Sequence, residues 1–142
     1  FGLLAVLTLA SFYERGYFEP SEGRRDSELT SEAAEKLAYA FENRLNNLQI
    51  RGTGSVEKVL ADDTKGRRHQ RIIVRVGDEQ TILVAHNIDI APRVEQIKAN
   101  DKLEFYGEYE WNSKGGVIHW THRDPDQKHV DGWLKHKGKI YQ

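Results

Sequence analysis

The residues best suited to chemistry gather between His119 and Gly132, which reads His-Trp-Thr-His-Arg-Asp-Pro-Asp-Gln-Lys-His-Val-Asp-Gly. Three of the chain's six histidines lie there, with Trp120 and the acids Asp124, Asp126 and Asp131. A glycine-led apolar run, Gly115-Gly116-Val117-Ile118, comes just before. The pattern predicts a strand that delivers ligand-type side chains into a loop, which is where binding and catalytic groups concentrate.

Imidazole and carboxylate together allow two chemistries. The first is metal binding, for which neutral His and Asp suit zinc, manganese or iron. Its expected ligands are His119, His122, Asp124 and His129, with zinc or manganese as the divalent ion. His119 and His122 are three apart, so on a flat strand they face opposite sides. A shared ion therefore requires a bend between them. The second is hydrolysis, because His titrates near neutrality and a carboxylate can orient it. A metal-assisted phosphodiesterase or nuclease would use Asp62, His119, His122 and Asp124, with Arg68 or Arg71 stabilising phosphate charge. No nucleophile elbow, phosphate-cradling glycine loop or kinase set is present.

A basic stretch points to binding instead. Lys65 to Arg75 holds five Lys or Arg and no acid. On a strand, His69, Arg71, Ile73 and Arg75 share one face. A basic groove with aromatic stacking suits single-stranded nucleic acid, and Trp120, Trp111, Trp133 and Tyr109 are the candidate platforms. Glu104, Glu108 and Glu110 share a face of a later strand and would repel phosphate if they lined the same groove.

These groups need elements to hold them. The chain has 142 residues, enough for one domain with an additional segment. Net charge is −1, so a polyanionic partner must use a local patch rather than the whole-molecule field. With no Cys, disulfides and thiolate metal sites are excluded. Residues 1–12 open with the uncharged run Phe1 to Ala10, the length of a signal peptide's apolar core and too short to span a bilayer, which takes ~20 residues. They are read as a signal peptide or anchor remnant, giving a periplasmic or secreted protein, cleaved free or tethered at the inner membrane. Residues 13–29 read as a tether. Thr30 or Ser31 then caps an amphipathic helix over 30–48, whose Leu37, Phe41, Leu45 and Leu48 form one stripe.

From residue 49 the period falls to two. Strands are predicted at 50–60, 69–76, 81–86, 102–111 and 117–122, with a short helix after Pro92 and bends at Gly52, Gly54 and Gly107. Five strands in this order predict a mainly β fold, an OB-like small barrel over 49–142 with a solvated basic tail. In that topology the ends of strands one, three and five and the start of strand two share a rim. Asp62, Asp63, Arg68, His69, His86, Asn87, Asp89, His119, His122 and Asp124 would then meet. The expected ligand-binding set is Arg68, His69, Arg71, Arg75, His86, Asn87, Asp89 and Trp120.

Several runs also resemble a known family. They are Asp62-Asp63 with Gly66 and Arg68-His69-Gln70, Ala85-His86-Asn87-Ile88-Asp89 with Ala91-Pro92-Arg93, and Tyr109-Glu110-Trp111 with Gly115 to His122. Over about residues 52–142 the chain is similar to an uncharacterised bacterial domain family, domain of unknown function 3465. The resemblance implies a small bacterial, usually exported, β-rich domain and no particular activity. Function thus has three expectations: a binding module for an anionic polymer, above all single-stranded nucleic acid; a metal-assisted phosphodiesterase; or a structural envelope module whose rim is a rigid polar network.

Overall fold

A computed structural model describes residues 19–142. The apolar run Phe1 to Ala10 lies outside the described residues. Among those described, no helix is long and apolar enough to cross a membrane.

The first element is helix α1, Glu22–Glu42. It starts eight residues before the expected cap, so much of the predicted tether is helical. Ser21 is the N-cap, its hydroxyl accepting from Arg24 N–H at 3.3 Å. Thr30 lies mid-helix, where its hydroxyl donates to the Asp26 carbonyl. Ala33, Leu37 and Ala40 are the buried face, packed on the barrel.

Seven strands follow: β1 Leu48–Val59, β2 His69–Val76, β3 Gln80–Asn87, β4 Lys102–Glu110, β5 Val117–His119, β6 Trp133–His136 and β7 Lys139–Tyr141. Strands one to five close a barrel in the order β1-β2-β3-β5-β4, with β4 returning to pair β1. All pairs are antiparallel except β3–β5. This is the OB-like connectivity expected. Its interior is filled by alternate residues, among them Ile50, Val56, Ile72, Val74, Ile82, Val84, Leu103, Phe105, Tyr109 and Ile118. The register break of β1 falls between Val56 and Lys58 rather than at its glycines.

Three expectations fail for physical reasons. No helix follows Pro92, because the buried Gln70 amide grips Val94 from both sides, donating to its carbonyl and accepting its N–H. The tail is not solvated. Leu134 and His136 are buried, and the β6–β7 hairpin turns through Lys137 (φ 48°) and Gly138 (φ 80°), the two left-handed positions of a type I′ turn. His136 Nε2 reaches Asp101 Oδ2 at 2.8 Å and holds that carboxyl below its usual range.

Strand five ends at His119 rather than residue 122. Trp120 has φ 55°, a left-handed conformation costly for a bulky side chain, and turns the chain out of the ladder. The segment returns at Trp133, which pairs Tyr106 on the same edge of β4 where His119 pairs Glu108. Trp133 thus takes the place Thr121 would hold in an unbroken strand. β5 and β6 are two halves of one strand, with a loop inserted between them. Its neck is closed by Gly132 N–H donating to the His122 carbonyl at 2.9 Å. Gly132 fits there because any Cβ would meet the Trp120 carbonyl oxygen at 1.9 Å.

Candidate functional site

The inserted loop and the ends of β2 and β3 enclose a cleft of about 480 Å³ on the outer face of the barrel. His69, Asn87, His119, Trp120, His122 and Asp124 are among its lining residues, together with Arg67. Register explains the meeting. His69 pairs Asn87 across β2–β3, and the parallel pairing of Val84 with Ile118 brings Ala85 beside His119. Segments more than thirty residues apart therefore share one wall.

Two of the three cleft histidines are held by their Nδ1 atoms. His69 Nδ1 lies 2.9 Å from the Arg67 carbonyl and His122 Nδ1 lies 2.7 Å from the Arg123 carbonyl. A carbonyl only accepts, so each Nδ1 carries the proton and Nε2 keeps its lone pair when the ring is neutral. Both rings are thus set with an acceptor nitrogen available to a ligand.

Asp124 has another task. Oδ1 accepts Asp126 N–H, and Oδ2 accepts Lys128 and His129 N–H, at 2.7 to 3.0 Å. These bonds hold its carboxyl below the usual range and shape the loop. Asp124 is a scaffold for the site, with both oxygens engaged.

Other expected residues are occupied, and one of them, Arg75, sits at the far end of β2 opposite Thr81, away from the rim. Arg68 pairs with Asp89 at 2.8 Å, and its own N–H also donates to that carboxylate; these bonds hold the Asp89 carboxyl below its usual range. Asp62 is paired with Arg93, away from His119 and His122. Arg71 Nε donates to the Ala61 carbonyl, and Arg75 pairs with Glu57 rather than with Glu104 or Glu108. His86 is fully buried behind the cleft. Its Nε2 faces the Pro92 carbonyl at 2.8 Å and its Nδ1 faces Thr121 Oγ1 at 2.8 Å. The carbonyl requires the proton on Nε2, so Thr121 donates to Nδ1 and the ring is neutral. Burial is the main reason its pKa falls from 6.5 to about 4.

The expected metal set does not assemble. Trp120 supplies the bend, yet no three of His119, His122, Asp124 and His129 bring their ligand atoms within 4.8 Å of one another, and both Asp124 oxygens are taken by the loop backbone. His119 and His129 face β4 instead. His119 Nε2 lies 3.5 Å from Glu108 Oε2 and 3.7 Å from Glu110 Oε1, and His129 Nε2 lies 3.2 Å from Glu108 Oε2. Among the described residues, the group of three His and acid side chains whose ligand atoms all lie within 4.8 Å of one another is Glu108, Glu110 and His119. Glu108 and Glu110 were legible as outward-facing by alternation. Their pairing with His119 depends on strand register, which alternation does not give.

Trp120 is half-buried, outside the core, and His129 stacks on its indole with ring centres 4.0 Å apart and planes 10° apart. His122 lies tilted against the same indole at 5.1 Å.

Barrel, inserted loop and cleft together define a small OB-like domain with an outer-face site of His, Asn, Arg and Trp. The chain belongs to the family described as protein of unknown function DUF3465, whose model matches residues 26–142. The match takes in most of α1, so the helix is part of the family's domain and not an appendage to it. No curated protein matches the chain.

Proposed function

We propose that this protein is a binding module whose cleft and adjoining β2–β3 face take an anionic polymer, with single-stranded nucleic acid the best-fitting kind. The observation that carries this reading is the convergence of Arg67, His69, Asn87, His119, Trp120 and His122 on one cleft. It adjoins the strand 2–3 face where OB barrels receive extended polymers. Arg68 and Arg75 are already ion-paired, so attraction falls mainly to Arg67, which makes no ion pair among the described residues, and to Arg71, whose one hydrogen bond is to a neutral carbonyl. Trp120 lines the cleft with His129 stacked on its indole, so a base would stack there by displacing that ring, and His69 and His122 offer Nε2 as acceptors for base N–H donors. The apolar run Phe1 to Ala10 supports a place outside the cytoplasm, free or tethered.

The test is titration of the tag-free protein with oligothymidylate, read by tryptophan fluorescence at several salt concentrations. Binding should weaken as salt rises, and Arg67→Ala should lower the salt slope by about one phosphate's worth. Arg75→Ala should change little. No binding at low salt, or binding indifferent to Arg67 and Trp120 substitutions, overturns the reading.

A metal-assisted phosphodiesterase is the second reading. It is favoured by the carboxylates beside His119, although of the residues expected to carry it only His119 stands among them.

A further inference from the structure

We propose that Glu108, Glu110 and His119 form a binding site for one divalent transition-metal ion of the zinc class, with His129 positioning Glu108. The inference does not rest on the polymer-binding reading. It starts from a row of outward side chains crossing three strands. Gln49 of β1 pairs Glu108 of β4, which pairs His119 of β5. Glu110 is the next outward residue along β4.

Charge is the first argument. The Glu108 side chain is only 16% exposed and that of Glu110 34%, and among the described residues neither has a Lys or Arg partner. Two neighbouring carboxylates so placed favour a cation between them, and the groups beside them are two imidazoles.

Hydrogen bonding is the second. His119 Nε2 is buried and has no hydrogen-bond partner among the described residues. The amide nitrogen of Gln49, on the other side of Glu108, shares that state. Buried polar atoms without partners are rare and mark an absent water, ion or ligand. His129 holds the carboxylate from the loop side: a ring protonated on both nitrogens donates Nδ1–H to the Val130 carbonyl at 2.8 Å and Nε2–H to Glu108 Oε2 at 3.2 Å, which fixes the orientation of Glu108 toward His119.

Spacing is the third. Ligand atoms 2.0–2.1 Å from a tetrahedral zinc lie about 3.3 Å from one another. The contacts of His119 Nε2 with the two carboxylates, 3.5 and 3.7 Å, need only a small contraction. One nitrogen and two carboxylates suit zinc or manganese, and imidazole with the Irving–Williams order favours zinc. Three protein ligands leave a coordination position open, as in catalytic rather than structural sites. His119 also lines the cleft, so the ion would stand at its wall.

The experiment is zinc titration of tag-free full-length protein by calorimetry against a competing chelator. Cobalt substitution, read in the visible spectrum, reports the coordination. One ion per chain should bind. His119→Gln and Glu110→Gln should each weaken binding by about 100-fold or more, and His129→Gln by about tenfold, as for an orienting group. Glu110 is partly exposed, so its variant tests the site without threatening the fold, and circular dichroism checks this. His122→Gln should leave affinity unchanged. Substoichiometric binding of zinc and manganese, affinity unaltered by Glu110→Gln, or loss on His122→Gln would each overturn the proposal.

Discussion

Glu108 and His119 stand directly opposite each other across the β4–β5 ladder, and their side chains meet on the outer face with Oε2 and Nε2 3.5 Å apart. The same carboxylate oxygen also receives His129 from the inserted loop at 3.2 Å. One β4 side chain thus ties a strand and a loop together. His129→Ala should cut the loop from β4 and remove the ring that covers Trp120. Amide exchange of Lys128 to Asp131, measured with a chelator present, should quicken by about tenfold or more, while the denaturation midpoint shifts little. Unchanged exchange in the loop would show that Asp124 alone holds it.

His86 makes stability depend on pH. Its folded pKa, about 4, lies below the unfolded 6.5, so the unfolded chain binds the proton more readily. The folded state therefore holds its full advantage above pH 6.5. It loses that advantage as pH falls from 6.5 toward 4, by up to about 3 kcal/mol. Urea unfolding at pH 7.5 and pH 4.5 should show the loss. His86→Gln should flatten the pH dependence in this window, at a cost in stability at neutral pH. An equally steep fall in the variant would assign the dependence to other groups.

Gly107→Ala should displace the site without removing any functional atom. A Cβ at Gly107 would meet the His119 carbonyl oxygen at 2.4 Å and the Ile118 side chain at 2.8 Å, so β5 must move away from β4. We expect a loss of about 1–3 kcal/mol in denaturant unfolding, the range for overpacked cores. Zinc affinity should fall with Glu108, Glu110 and His119 all present. Retained stability and retained affinity together would mean that β5 tolerates the shift.

Much of this architecture was legible in the chain, and the failures have identifiable causes. The β-branched run Ile72-Ile73-Val74 with Val76, bounded by the turns at Gly66 and Gly77, placed β2 to the residue, although the buried Gln70 and the outward Ile73 break a strict apolar–polar alternation. The first turns of α1, Glu22 to Leu29, carry no apolar stripe. They are supported by the Ser21 cap and ion pairs such as Arg24–Glu28, which resemble an exposed linker when only composition is read. The tail's lysines hid a two-residue period in Trp133 to His136, although Lys137-Gly138 was a turn signal in plain view. The rim converged as barrel closure requires. The partners within it were another matter. That His119 faces Glu108 rather than His122 depends on register and on the left-handed Trp120, and neither leaves a mark in local composition.

The divided strand β5–β6 has a consequence for how this domain can diversify. Both ends of the excursion grip one edge of β4, so the barrel's closure is complete whatever lies between them. A descendant could shorten, lengthen or rewrite residues 123–131, outside the neck formed by Thr121, His122 and Gly132, and acquire a different specificity while inheriting the same folding problem, already solved.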